Sequence, residues 1–261
     1  MANFDIPVAH YMSSPVFTAD PNESVEQVYH RLAELGVSSL AVVSDDLIVG
    51  VISRTDLLQV GRRDAGSRAK AALLTFPNQP IKQLMTLNVV AVAPDDLLST
   101  VARKMVEYSL HRIFVTKDEQ VVGVVSPHDL MAAIRDKGVG IPIAEYMSSP
   151  LFTVRADEPI SLATERLEKA HVTGIVVVEE GWPIGIFTQV EALASRMLPR
   201  DTCVDQVMDS ALLCMPTSTR MNRAAALATR MRARRIVAAE HRTMEGILTG
   251  IDFARLVAGG R

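Results

Sequence analysis

Four acidic residues recur in one context. Each lies three positions after a hydroxyl and six after a glycine: Gly50, Ser53 and Asp56; Gly123, Ser126 and Asp129; Gly185, Thr188 and Glu191; Gly246, Thr249 and Asp252. An ionised carboxylate only accepts hydrogen bonds, and its two oxygens can take a pair of adjacent hydroxyl donors. Such charge-assisted bonds are worth roughly 1.5–3 kcal/mol each. If a strand ends and a helix begins at the hydroxyl, the free N–H groups of that helix end also favour an anion. The same spacing is an ordinary helix start as well, and a capping role and a ligand role can coexist. In the third instance a glutamate replaces the aspartate. Its extra methylene moves the carboxylate by about 1 Å or more, an error a positioned contact does not absorb without rearrangement. The Thr188–Glu191 site is therefore expected to be weak, empty or differently occupied.

Phosphate groups need positive charge and several donors, which arginine supplies as a fork. Two basic pairs stand just before apolar runs, His111-Arg112 and Arg234-Arg235, and His128 adjoins Asp129. Arg220, Arg223, Arg230 and Arg232 extend the second pair into a basic stretch that could also meet RNA or an acidic partner. Catalytic patterns are absent: there is no GxSxG, HExxH, GxxxxGK[ST] or GxGxxG. The six histidines are scattered without metal-ligand spacing, and Cys203 and Cys214 form no CxxC pair. Neither an enzyme nor a metal site is expected, and Cys214 is expected to be a small buried residue.

The elements that would hold these residues repeat fourfold. Met12-Ser13-Ser14-Pro15 returns as Met147-Ser148-Ser149-Pro150, each after a tyrosine, and weaker copies start at Met85 and Met208. Thirty-eight positions after each methionine stands the glycine of the motif, and the four windows align from methionine to acid without a gap. Val25, Val28, Leu32 and Leu35 fall at helical spacing after a turn, as do Met221, Ala224, Ala225 and Ala228. Two short β-branched runs follow, such as Leu40 to Val43 and Ile48 to Ile52, too short for helices. Each copy then reads strand, helix, strand, strand, helix, an α/β (α+β) unit too small to bury its own sheet face, so copies should pair. Expected bounds are 5–62, 78–137, 139–199 and 200–261, with a linker of about Arg62 to Gln79. Copies one and three share YMSSP, whereas copies two and four share the basic pairs. This alternation suggests duplication of a two-copy unit, with pairs at roughly 1–138 and 139–261.

The 261 residues are 48% hydrophobic and 22% charged, with a net charge of -3, which suits a folded chain and disfavours disorder. Weak net acidity speaks against a dedicated nucleic-acid binder. Met1 to His10 shows no basic segment leading into an apolar run, and no apolar run is long enough to span a membrane, so a cytoplasmic protein is expected.

A methionine-centred start, a Pro-Asp-type turn, a helix and a strand ending in G-h-h-[ST]-x-x-D resemble the cystathionine-β-synthase (CBS) domain. Two such repeats form a Bateman module. Four are similar in arrangement to the gamma subunit of AMP-activated protein kinase. His111 to Val115 followed by Gly123 to Asp129 looks especially like a nucleotide-binding repeat of that subunit. The resemblance implies a non-catalytic sensor that binds AMP, ADP or ATP as a regulatory ligand between paired repeats and signals to an unidentified regulated protein. No cofactor is implied, and a homodimer is allowed. It assigns ribose contact to Asp56, Asp129 and Asp252, and ribose or phosphate contact to Ser53, Ser126 and Thr249. The match points to phosphate contact by His111 and Arg112, while Arg234, Arg235 and His128 are phosphate candidates by their charge. Thr18, Ala91, Thr153 and Cys214 fall at the base-pocket position of the first strand. The alternatives are an interaction scaffold independent of nucleotide, with RNA as one partner, and another adenosyl ligand such as S-adenosylmethionine.

Overall fold

The computed structural model describes residues 2–63, 65–241 and 243–259. Asp64, inside the expected linker, and Gly260 and Arg261, the end of the expected fourth copy, lie outside them, as does Met1. Four copies of one element order follow each other. The first is β1 (Thr18–Ala19), α1 (Val25–Glu34), β2 (Ser39–Ser44), β3 (Leu47–Ser53) and α2 (Arg54–Arg63). The second is β4 (Ala91–Val92), α3 (Leu98–Glu107), β5 (Ile113–Lys117), β6 (Gln120–Val125) and α4 (Pro127–Asp136). The third is β7 (Thr153–Arg155), α5 (Ile160–Lys169), β8 (Gly174–Glu179), β9 (Trp182–Thr188) and α6 (Gln189–Ala194). The fourth is β10 (Cys214–Met215), α7 (Met221–Arg230), β11 (Arg235–Glu240), β12 (Thr243–Thr249) and α8 (Gly250–Val257).

Each copy builds one three-stranded sheet, with the short first strand parallel to the second and the second antiparallel to the third. The local sequence explains the helices. Before α1, Ser24 and Gln27 cap each other reciprocally (Ser24 N to Gln27 Oε1 2.8 Å, Gln27 N to Ser24 Oγ 3.2 Å). The helix then buries Val25, Val28 and Leu32 on one face. In α7 the buried stripe is Met221, Ala224, Ala225 and Ala228.

Chain contacts divide the molecule into two compact units. Unit 1 comprises Met1–Val16, Val90–Leu151 and Leu213–Arg261, and unit 2 comprises Phe17–Val89 and Phe152–Leu212. Unit 1 thus holds the bodies of copies two and four, and unit 2 those of copies one and three. Each has its own apolar core, with Phe253, Leu98 and Met105 fully buried in the first and Phe187, Leu32 and Leu57 in the second. Burying a side chain of this size contributes roughly 1.5–3 kcal/mol.

The discontinuous bounds have a local cause. The methionine that opens each copy does not pack in that copy. It crosses to the glycine of its pair-mate. In unit 1, a Cβ on Gly123 would lie 2.5 Å from Met12 Sδ, and one on Gly246 would lie 2.8 Å from Met147 Sδ. In unit 2, Met85 meets Gly50 and Met208 meets Gly185 in the same way. Backbone bonds fix each crossing, for example Ser13 N to Val124 O at 2.9 Å and Val124 N to Ser13 O at 3.0 Å. The glycine pairs with the residue just before a β-bulge, as Gly123 does with Val115, leaving room only for a residue without a side chain. Copies one and two exchange starts, as do copies three and four.

The linker is not a loose connector. Leu73 and Leu74 are buried, and their N–H groups donate to the carbonyls of Leu198 (2.9 Å) and Arg196 (3.0 Å). The Arg196 guanidinium lies 4.2 Å from the Tyr29 ring centre and ion-pairs with Glu26 at 2.5 Å.

Candidate functional site

All four motif acids fold back on the start of their own helix. Asp129 Oδ2 accepts from the Ser126 backbone N–H (2.7 Å) and Oγ (2.6 Å). Asp252 Oδ2 does the same with Thr249 (2.7 Å both), and Asp56 Oδ2 with Ser53 (2.8 and 2.6 Å). Glu191 Oε2 makes the equivalent pair with Thr188, at 2.8 Å to the backbone and a shorter bond to the hydroxyl. The glutamate's longer side chain therefore still reaches the cap. One oxygen of each acid is structural in every copy.

The second oxygen distinguishes the copies. In unit 1, Asp129 Oδ1 accepts from Ser13 Oγ at 2.9 Å. Asp252 Oδ1 accepts from Ser148 Oγ and from Arg255 Nη1, each at 2.8 Å. Both serines arrive on the crossing YMSSP segments. In unit 2 no side chain among the described residues donates to the second oxygen of Asp56 or Glu191. Burial is the largest influence on Asp56 and raises its carboxyl above the ordinary range, against the hydrogen bonds from Ser53. The segment that crosses to copy three carries Asp209 where the others carry Ser13, Thr86 and Ser148. An acid in place of a hydroxyl removes a donor and adds negative charge there.

The basic residues of copies two and four converge within unit 1. His111 is pulled down to about 4, chiefly by burial and then by Arg235, Arg234 and Arg112. His128 is also lowered, by burial first and by Arg234, with Asp129 opposing. The starts of α4 and α8 meet here: a Cβ on Gly250 would lie 2.6 Å from Pro127 Cγ and 3.7 Å from His111 Nδ1. Two helix starts add partial positive charge to the three arginines. In unit 2 the same place holds a neutral pair, Gln189 Nε2 donating to Thr55 Oγ1 at 3.0 Å. The corresponding pre-strand positions are Ser38-Ser39 and Thr173-Gly174.

Thr18, Ala91, Thr153 and Cys214 occupy one equivalent place, the first residue of the short first strand, opposite Ala41, Phe114, Val176 and Val237. Cys214 is exposed, not buried as its small size suggested. On that strand it is Met215 that turns inward. Sequence reasoning missed Ser13, Ser148 and Arg255. The serines stood inside the segment that marked the repeat. Arg255 stood three residues after Asp252, the spacing of a helical ion pair. Among the described residues there is no cluster of three or more metal-ligating side chains, and no helix is long and apolar enough to cross a membrane.

The CBS domain model matches residues 8–63, 81–136 and 143–196, and the chain belongs to that family. The fourth copy, beyond these matches, has the same strand order and pairing. A solved structure of Methanocaldococcus jannaschii protein MJ1225, described as a proposed archaeal homologue of g-AMPK, superposes with a TM-score of 0.83 at 15% identity, covering 96% of this chain and 99% of that one. A conserved Pyrococcus horikoshii protein superposes at 0.67, with 17% identity over 97% of this chain and 100% of that one. A Thermofilum pendens protein described as an uncharacterised 33.4 kDa protein in a ribosomal RNA operon is 26% identical over 201 residues. That match covers 72% of this chain and 63% of the relative, so the chain spans less than two thirds of that relative's length.

Proposed function

We propose that this chain is a non-catalytic regulatory module that binds an adenine nucleotide in unit 1, at the copy-two cleft. The observation that carries this reading is the juxtaposition of Asp129 with a multi-arginine cluster. Asp129 keeps acceptor capacity on Oδ1 for a ribose hydroxyl, alongside the Ser13 hydroxyl. His111, Arg112, Arg234 and Arg235 supply the positive charge that phosphates need. S-adenosylmethionine fits this cluster less well, because its sulfonium is itself a cation. Copy one keeps its acid in Asp56 without a basic pair, and copy three has neither aspartate nor basic pair.

The signal follows from linkage. A ligand that takes the open position on Asp129 Oδ1 sits beside the Ser13 bond and so bears on the seating of the crossing segment. A ligand shifts such an equilibrium by its differential affinity for the two arrangements. Micromolar binding supplies about 8 kcal/mol, of which a fraction suffices. A regulated partner protein would read the rearranged segment. Isothermal titration with AMP, ADP, ATP and S-adenosylmethionine tests the reading. Micromolar binding of at least one nucleotide, with an upward shift in melting temperature, supports it. No heat and no shift with any of the four would end it.

A second reading, an interaction scaffold, is favoured by α7. Arg220, Arg223, Arg230 and Arg232 are all exposed around it, and none has an ion pair among the described residues. The sister helices pair their charges, Arg31 with Glu23 and Arg166 with Glu158. Salt-sensitive retention of RNA by a preparation that binds no nucleotide would favour this reading over the first.

A further inference from the structure

We infer that Arg255 sets which of the two unit 1 motif acids is open, closing Asp252 to a ribose diol and leaving Asp129 as the nucleoside site. The inference rests on the adenine-nucleotide reading above and adds to it a selectivity that the motif itself does not show, since Thr249 and Asp252 match the pattern as well as Ser126 and Asp129 do.

The argument is a count of acceptors. A carboxylate offers about four lone-pair positions. Asp252 fills all of them with protein donors: the Thr249 N–H and Oγ1 on one oxygen, Ser148 Oγ and Arg255 Nη1 on the other. Asp129 has the same two cap donors and the same crossing serine, but nothing from its own helix reaches Oδ1. Three residues after Asp129 stands Ala132, where copy four has Arg255. Exposure follows the count: Asp252 is 0% exposed and Asp129 8%. The Arg255 guanidinium also lies 3.4 Å from Ser148 Oγ, so it braces the crossing segment and the acid together. A ribose entering copy four would have to displace a charged donor from a buried carboxylate. In copy two it has an open position to take.

The selectivity is reversible by exchanging one side chain. Isothermal titration of the full chain with AMP gives the number of sites directly. Arg255→Ala should add one site relative to the unaltered chain, and Arg255→Met should do the same while keeping the apolar stem. Ala132→Arg should weaken the copy-two site at least tenfold, with melting confirming that the protein is folded. The double variant Asp129→Ala, Arg255→Ala should keep one unit 1 site of the original affinity where Asp129→Ala alone keeps only the weakened one. An unchanged site number in both folded Arg255 variants overturns the selectivity while leaving the nucleotide reading intact. Absence of AMP, ADP and ATP binding in the unaltered chain and in both Arg255 variants overturns both.

Discussion

Replacing Gly123 by alanine tests whether the chain really exchanges its starts. The new Cβ would sit 2.5 Å from Met12 Sδ and 3.0 Å from Met12 Cγ. Comfortable separations are roughly 3.5–4.0 Å, so about 1 Å must be found. The neighbouring backbone cannot give freely, because Ser13 and Val124 bond each other in both directions. Overpacking of this kind costs roughly 1–3 kcal/mol. Met12→Ala alone leaves a partly buried hole, at roughly 1–2 kcal/mol given that the side chain is not fully enclosed. Together the two changes should cancel in part, since the added methyl enters space the methionine vacated. The double variant is expected to be more stable than the sum of the singles by about 1–2 kcal/mol. The matching cycle at Gly246 and Met147 should recover less. There the Cβ also meets the Ser148 carbonyl oxygen at 2.9 Å, which no side-chain deletion removes. Urea unfolding followed by circular dichroism at constant m-value measures all seven proteins. Additivity within about 0.5 kcal/mol at Gly123 would refute the crossing, because two residues in direct contact are expected to couple.

Asp129→Ala should weaken nucleotide binding by roughly 2–3 kcal/mol, some 30- to 150-fold, as measured by titration; unchanged affinity removes the ribose assignment. His111 is held near 4 in the folded chain against about 6.5 when exposed, so between these values the unfolded chain binds the extra proton. Stability from this group is thus full above pH 6.5 and lost as pH falls towards 4, up to about 3 kcal/mol. His111→Asn should flatten that part of the profile in urea melts at pH 7, 5.5 and 4, and an unaltered profile would contradict the buried setting. A phosphate bound beside His111 should raise its proton affinity. Titration in buffers of differing ionisation heat is then expected to show proton uptake, and none would place the phosphate elsewhere. Arg220→Glu with Arg223→Glu should abolish any RNA retention while leaving nucleotide affinity unchanged, because the start of α7 bonds to Val139 and Ile141, beyond the end of α4 opposite to Asp129.

Much of this was legible in the residues. Period-3.6 stripes and paired β-branched runs pointed to the fold class, strands and helices repeated in tandem. The constant spacing of methionine, glycine, hydroxyl and acid placed each acid at a strand-to-helix edge. The crossing was not legible, because a methionine and a glycine at fixed spacing read equally well as partners within a copy or between copies. Only the bulge opposite Gly123 and the backbone pairing of Ser13 decide between them. The same ambiguity hid Ser13 and Ser148 from the site. The docked linker was also hidden: Leu73 and Leu74 are two apolar residues in a polar stretch, too few for any periodicity.

The crossing segments have a consequence for synthesis on the ribosome. Met12 emerges more than a hundred residues before Gly123, the position it must seat against. At roughly 5–20 residues per second, the opening segment waits about 5 to 20 s without its dock. During that interval the first copy's own hairpin is complete, and its groove at Gly50 is empty until Met85 emerges. The earliest methionine segment in the nascent chain is Met12, which is the wrong one for that groove. Order of translation thus offers a competing, intra-copy pairing before the correct one exists. The differing neighbours of the methionines, Ser-Ser-Pro at Met12 and Met147 but Thr-Leu at Met85 and Asp-Ser at Met208, give the chain a means of telling the two apart.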